Sequence, residues 1–273
     1  MIKKILTSLF ALLLIIGAKA GNVDTLKVHS ASMNKDIKVV AITPDNMKQP
    51  LPVLYLLHGY SGNHGDWIKQ KPELQSFVDK YNYIIICPDG ANSWYFDSPV
   101  KANYKYETFI SKELVEYVDT KYKTINAREG RAITGLSMGG HGAMWISLRH
   151  SDVFGAAGSI AGGVDFRPFP FNWEIKDLLG SEADNQLVWD SHTAISQICR
   201  VKNGRLALII DCGYSDFFFE VNNLFHQELL KYKINHDFIV REGGHNWAYF
   251  TKSIDYQLLF FSNFFYNKKE DKK

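Results

Sequence analysis

Arg131-Ala132-Ile133-Thr134-Gly135-Leu136-Ser137-Met138-Gly139-Gly140-His141-Gly142 decides how the rest of the chain is read. A short run able to form a strand leads into Gly-x-Ser-x-Gly, and a helix-like segment from Ala143 to His150 follows at once. In that setting the motif reads as a nucleophile elbow, a turn so sharp that Ser137 is held at its tip with the hydroxyl exposed. Gly135 and Gly139 bring no Cβ into the turn. A backbone amide and the helix dipole then sit beside the place where an oxyanion develops. Alone, Gly-x-Ser-x-Gly is a weak pattern. It gains force only if the chain also supplies a sheet, an acid and a histidine in the right order.

The sheet is legible on both sides of the elbow. Residues Thr25 to Ala41 alternate around the break Met33-Asn34-Lys35, which predicts two antiparallel strands. Pro52 to Leu57 and Tyr83 to Cys87 are continuous apolar runs, as strands covered on both faces must be. Phe154 to Ile160, Leu206 to Ile210 and Phe238 to Val240 continue the series. Helical spacing marks Pro72 to Lys80, Tyr106 to Tyr122, Phe217 to Tyr232 and Trp247 to Phe265. Strands alternating with helices predict an α/β fold: a mostly parallel sheet with helices on both faces. Residues 161–202 have no single period and carry Pro168, Pro170, Trp173 and Trp189, so they are expected to be a lid-like insertion over the site.

In an α/β-hydrolase arrangement the order is Ser, acid, His. After Ser137, two acids qualify, Asp211 at a strand end and Asp216 in the turn that follows. Asp216 is preferred because the turn lets it reach an imidazole, although it would also serve as an N-cap for the next helix. The base must lie on a loop after the last strand, which leaves His245 in Gly243-Gly244-His245-Asn246. His245 would take the Ser137 proton and return it to the leaving alcohol, while Asp216 fixes the imidazole tautomer. Two amides would hold the oxyanion, that of Met138 after the nucleophile and that of Tyr60 in His58-Gly59-Tyr60-Ser61-Gly62. No metal-ligand spacing or phosphate-cradling loop is present, so neither a metal nor a cofactor is expected.

Composition sets the remaining bounds. The 273 residues are 46% hydrophobic, enough for one large core. Lys3 and Lys4 precede an apolar run from Ile5 to Ile16, and Ala18-Lys19-Ala20 offers small residues for a signal peptidase. Residues 1–20 are therefore expected to be a secretory signal, and residues 21–273 a single exported domain with no stable membrane anchor. Without Lys3, Lys4 and Lys19 the formal count is 28 basic and 29 acidic residues, which gives no basic surface for nucleic acid. Lys268 to Lys273 reads as a frayed tail. Cys87, Cys199 and Cys212 cannot all pair, and the first and last end apolar runs, so buried free thiols are expected there.

Leu57-His58-Gly59-Tyr60-Ser61-Gly62 with Trp67, Pro88-Asp89-Gly90, Gly135 to Ala143, Asp216 and Gly244-His245 resemble the esterase D-like superfamily. That group holds feruloyl, acetylxylan and tributyrin esterases, S-formylglutathione hydrolases and mycolyltransferases. The resemblance runs from Ile37 to Phe265, and Gly-Leu-Ser-Met-Gly-Gly-x-Gly-Ala is far more specific than the bare elbow. It implies an α/β-hydrolase fold and a triad on Ser137, Asp216 and His245. Ser93 to Pro99 looks more like the secreted carboxylesterase and feruloyl esterase branch, and an exported chain fits poorly with the cytosolic S-formylglutathione hydrolases.

Aromatic loop residues, Trp67, Trp94, Tyr95 and Trp173 foremost, are candidates to contact substrate, since aromatic faces suit sugar rings or an aryl acyl group. The expected substrate is a small or polysaccharide-linked ester, with feruloyl or acetyl esters of plant polysaccharides favoured. A mycolyltransferase-like acyltransferase, a thioesterase and a non-catalytic carbohydrate-binding relative are the alternatives.

Overall fold

The central apolar runs Val53–Leu57, Ile84–Pro88, Arg131–Gly135 and Ala156–Ile160 become strands buried on both faces, while the outermost strand, Asp237–Arg241, stays partly exposed. The computed structural model describes residues 21–266; the expected signal over residues 1–20 and the Lys-rich tail Lys268 to Lys273 lie outside them. Eight strands form one sheet: β1 (Asn22–Ser30), β2 (Lys35–Thr43), β3 (Val53–Leu57), β4 (Ile84–Pro88), β5 (Arg131–Gly135), β6 (Ala156–Ile160), β7 (Ala207–Gly213) and β8 (Asp237–Arg241). Their order across the sheet is β1-β2-β4-β3-β5-β6-β7-β8. Strands β1 and β2 form an antiparallel hairpin from Asn22↔Thr43 to Ser30↔Lys35, and β2 pairs antiparallel with β4. Every other pairing is parallel. This is the α/β-hydrolase arrangement expected from the sequence.

Alternation along β3 shows how the sheet is buried. Val53, Tyr55 and Leu57 enter the apolar cluster on one face, Leu54 and Leu56 the cluster on the other, and all five are fully buried. At roughly 1.5–3 kcal/mol for each buried Val, Leu or Ile, such a strand is a large part of what holds the sheet together. Helices α1 (Asp66–Gln70), α2 (Leu74–Tyr81) and α9 (Trp247–Tyr266) cover the second face through Trp67, Leu74, Val78, Ile254, Leu258 and Phe261. The first face takes α5 (Met138–Arg149), α8 (Phe219–Lys231) and a helical run over residues 106–121. That run consists of α3 (Tyr106–Thr108), a π turn (Phe109–Glu113) and α4 (Leu114–Lys121). Neither α1, too short to show a period, nor the π turn has a signature in the sequence.

Residues 161–202 are folded onto the first face. Helices α6 (Ile175–Leu179) and α7 (Gln186–His192) and a 3₁₀ turn (Ile195–Arg200) bury Ile175, Leu178, Leu179, Trp189 and Ile198 in the same cluster as the sheet. The Ser98 hydroxyl donates to the Leu178 carbonyl at 2.6 Å, and Arg167 bridges Asp165 and Asp190 at 2.7 Å each. Cys87 and Cys212 are buried free thiols, and Cys199 is exposed. No helix among the described residues is long and apolar enough to cross a membrane.

Candidate active site

The carboxyl ends of β3, β5, β7 and β8 deliver the site, because in a parallel sheet the loops leaving those ends converge on one rim. Ser137 sits between β5 and α5 with φ 56° and ψ −119°, a conformation that L-residues adopt only under constraint. The constraint is close packing. A Cβ on Gly139 would lie 2.5 Å from the His58 carbonyl oxygen, and one on Gly135 would lie 2.7 Å from the Gly139 backbone. With both absent, the turn closes and the Ser137 carbonyl accepts the His141 amide at 3.0 Å.

The loops after β7 and β8 bring the other two residues to it. His245 Nε2 lies 2.9 Å from Ser137 Oγ. On the other side of the ring, Nδ1 is 2.9 and 3.1 Å from the two Asp216 oxygens. The Asp216 side chain is fully buried, while the imidazole keeps some exposure. Asp216 Oδ1 also accepts the Phe218 amide at 2.8 Å, so its N-cap-like role and its contact with His245 coexist.

Asp211 is used elsewhere. It is bound by the Arg241 guanidinium at 2.8 and 3.1 Å and by the hydroxyls of Ser253 at 3.0 Å and Tyr249. Burial, reinforced by Asp211, pushes the Tyr249 phenol above its ordinary range, so Tyr249 remains a neutral donor to that carboxylate. Asp211 thus ties β7 to β8 and to α9.

Gly59 abuts the elbow: a Cβ on it would stand 3.4 Å from Ser137 Cβ. Among the described residues, neither the Tyr60 nor the Met138 amide donates to a protein acceptor. A cavity of about 280 Å³ opens over this point, lined by Tyr60, Ser61, Leu136, Ser137, His245, Trp247 and Phe250 among others. A second, polar cavity of about 330 Å³ shares Ser61 and Gly62 with it and is lined by Asn92, Lys101, Tyr104 and Glu174.

Three of the aromatic residues expected at the substrate lie elsewhere. Trp67 and Trp94 are each 1% exposed and Tyr95 is 0% exposed. Trp67 packs edge-on against Trp247 and Trp94 against His141 and Phe166, while Tyr95 is wedged against Gly90 and Gly142. Sequence shows that a loop is aromatic but not that its rings point inward. Trp173 is partly exposed and stacks on Phe217 with ring centroids 5.8 Å apart. Phe217, next to Asp216 and unnoticed in the sequence as a site residue, lies 4.3 Å from the His245 ring, centroid to centroid. Its signal was the run Phe217-Phe218-Phe219 directly after the acid.

Residues 30–261 match the family model Esterase, described as Putative esterase. The chain belongs to this family. It is 26% identical to an acetyl esterase of Caldicellulosiruptor saccharolyticus over 257 residues, covering 84% of this chain and 94% of that one. It is also 26% identical to the diacylglycerol acyltransferase/mycolyltransferase Ag85B of Mycobacterium intracellulare, over 85% and 80% of the two chains. Among solved structures, a ferulic acid esterase superposes with a TM-score of 0.77 at 28% identity, over 90% of this chain and 99% of that one. Family membership places the chain among the carboxylic-ester hydrolases.

Proposed function

We propose that this chain is an exported serine esterase that opens carboxylic esters through an acyl-enzyme on Ser137. The carrying observation is the continuous Ser137–His245–Asp216 hydrogen-bond chain, with 2.9 Å at each link. Ser137 Oγ attacks the ester carbonyl carbon as its proton passes to His245 Nε2. The resulting oxyanion is held by the amides of Tyr60 and Met138. Collapse of the adduct expels the alcohol, which takes the proton from His245. Water then attacks the acyl-serine, with His245 again accepting a proton, and the acid leaves. Asp216 keeps the Nδ1 proton in place and balances the imidazolium charge.

The acetyl and ferulic acid esterase relatives support acetyl or feruloyl esters as substrates, and we place them on plant polysaccharides. The aromatic wall of Phe217 and Trp173 fits an aryl acyl group, and the polar cavity with Asn92, Lys101 and Glu174 fits a hydroxylated alcohol. Export rests on the sequence of residues 1–20. The test is Ser137→Ala assayed on p-nitrophenyl acetate, methyl ferulate and acetylated xylan. Loss of turnover with an unchanged melting temperature supports the assignment, and near-wild-type turnover removes it. The mycolyltransferase relative supports a second reading, acyl transfer. Adding sugar acceptors and scoring transfer product against free acid separates the two.

A further inference from the structure

Three successive carbonyls at the end of β3 are each held by a side chain. Leu57 O accepts Trp67 Nε1–H at 2.9 Å, His58 O accepts the Tyr95 hydroxyl at 3.1 Å, and Gly59 O accepts His58 Nδ1–H at 2.7 Å. The Gly62 amide adds a second bond to Gly59 O at 3.0 Å. The His58 ring is itself fixed, because its Nε2 accepts the Gly90 amide at 2.8 Å. With a carbonyl at Nδ1 and the Gly90 N–H at Nε2, Nδ1 is the donor and Nε2 the acceptor. Tyr95 reaches its carbonyl from a turn in which Trp94 and Tyr95 both have positive φ, 53° and 61°.

In a trans peptide the carbonyl and the N–H point in opposite directions. Holding Gly59 O therefore fixes where the next amide, Tyr60 N–H, points, and that amide has no protein acceptor among the described residues. We infer that His58, Trp67 and Tyr95 are positioning residues: His58 holds the Gly59–Tyr60 peptide itself, and Tyr95 and Trp67 hold the two peptides before it, a brace by which the Tyr60 amide is already aimed at the oxyanion before substrate arrives. Donors fixed in advance need no reorganisation as charge develops, and this is the source of their catalytic value. The brace rests on the reading of Ser137 as nucleophile and of Tyr60 N–H as oxyanion donor. It gives the buried Trp67 and Tyr95 a task that does not involve touching substrate.

Isosteric variants test it. Tyr95→Phe and Trp67→Phe each delete one donor and keep an aromatic ring, while His58→Asn keeps a donor near the Nδ1 position and His58→Ala removes it. For each, kcat and KM on p-nitrophenyl acetate are measured, together with inhibition by phenylboronic acid, whose serine adduct places an anionic oxygen at the oxyanion site. Fluorophosphonate titration counts competent Ser137. The expected result is a kcat loss of about tenfold for each deleted donor, below the roughly 10²–10³ cost of deleting an oxyanion donor outright. KM should stay within about twofold, boronate affinity should fall with kcat, and His58→Asn should retain more rate than His58→Ala. Wild-type kcat and boronate affinity in Tyr95→Phe and Trp67→Phe, with Ser137 fully titrated, overturns the brace. An active Ser137→Ala enzyme would instead remove the nucleophile on which it depends.

Discussion

Phe217 lies over the His245 imidazole with ring centroids 4.3 Å apart and planes tilted by 38°. The contact ties the ring that bonds to Ser137 to the residue that follows Asp216 in the chain. Phe217 is 49% exposed, so its truncation costs little stability. Phe217→Ala should lower kcat/KM for methyl ferulate by about tenfold, the scale of a lost aromatic contact, and leave p-nitrophenyl acetate nearly unchanged. Equal losses on both substrates would show that Phe217 supports His245 and does not contact the acyl group.

The two aspartates should separate cleanly. Asp216→Asn should reduce kcat by about three to four orders of magnitude with the fold intact, because the imidazole loses its charged partner. Asp211→Asn removes the buried partner of Arg241 and should cost about 2–4 kcal/mol of stability while folded enzyme keeps its rate. In a chain of this size that corresponds to a melting temperature lower by roughly 5–15 °C. Calorimetry and active-site titration together read both effects, and the reverse pattern would make Asp211 the acid.

Gly139→Ala should be poorly tolerated. Its Cβ would meet the His58 and Leu57 carbonyl oxygens at 2.5 and 2.7 Å, both of them backbone atoms that cannot swing aside. A destabilisation above about 3 kcal/mol is expected, measured as the shift in denaturant midpoint. A variant of wild-type stability and rate would mean that the elbow opens more easily than this packing allows.

His141 predicts a pH dependence of stability. Burial holds its pKa down at about 4, only partly offset by the hydrogen bond to the His192 carbonyl at 3.1 Å. Unfolded, it would titrate near the ordinary value of about 6.5. Between these values the unfolded chain binds a proton that the folded chain does not. Stability from the neutral ring is therefore complete above about pH 6.5 and drains away as pH falls toward 4, by about 3 kcal/mol in all. His141→Phe, among Trp94, Phe96 and Phe166, should make the unfolding free energy less steep in pH across that window, by up to one proton. An identical slope would place the proton uptake elsewhere.

The strands were legible because β3 and β4 must be apolar on both faces, and the order Ser137, Asp216, His245 because each follows a strand that could be seen. Choosing between Asp216 and Asp211 was a weaker inference. It rests on the reach of the turn after β7, while Arg241 and Tyr249, which hold Asp211 from β8 and α9, leave no mark in the sequence. The direction of the aromatic rings was not legible at all. Trp94 and Tyr95 turn inward through two positive-φ residues that carry no glycine to announce them. Phe217 was hidden for the opposite reason: helical spacing assigned it to α8, which in fact begins at Phe219.

The packing around the elbow also bears on how this enzyme can change. Gly135, Gly139, Gly140 and Gly142 each face an atom within 2.4–2.7 Å of where a Cβ would stand, so the immediate frame of Ser137 has no room for side-chain growth. Freedom lies outside it, on the surface of residues 161–202, where Phe171 is 94% and Leu187 83% exposed, and at Phe217. New specificities should arise there. A randomised library placed on those positions should yield altered ester preference at little cost in stability, while one placed on the elbow glycines should yield mostly unfolded protein. The fold thus separates a frozen elbow from an adaptable surface.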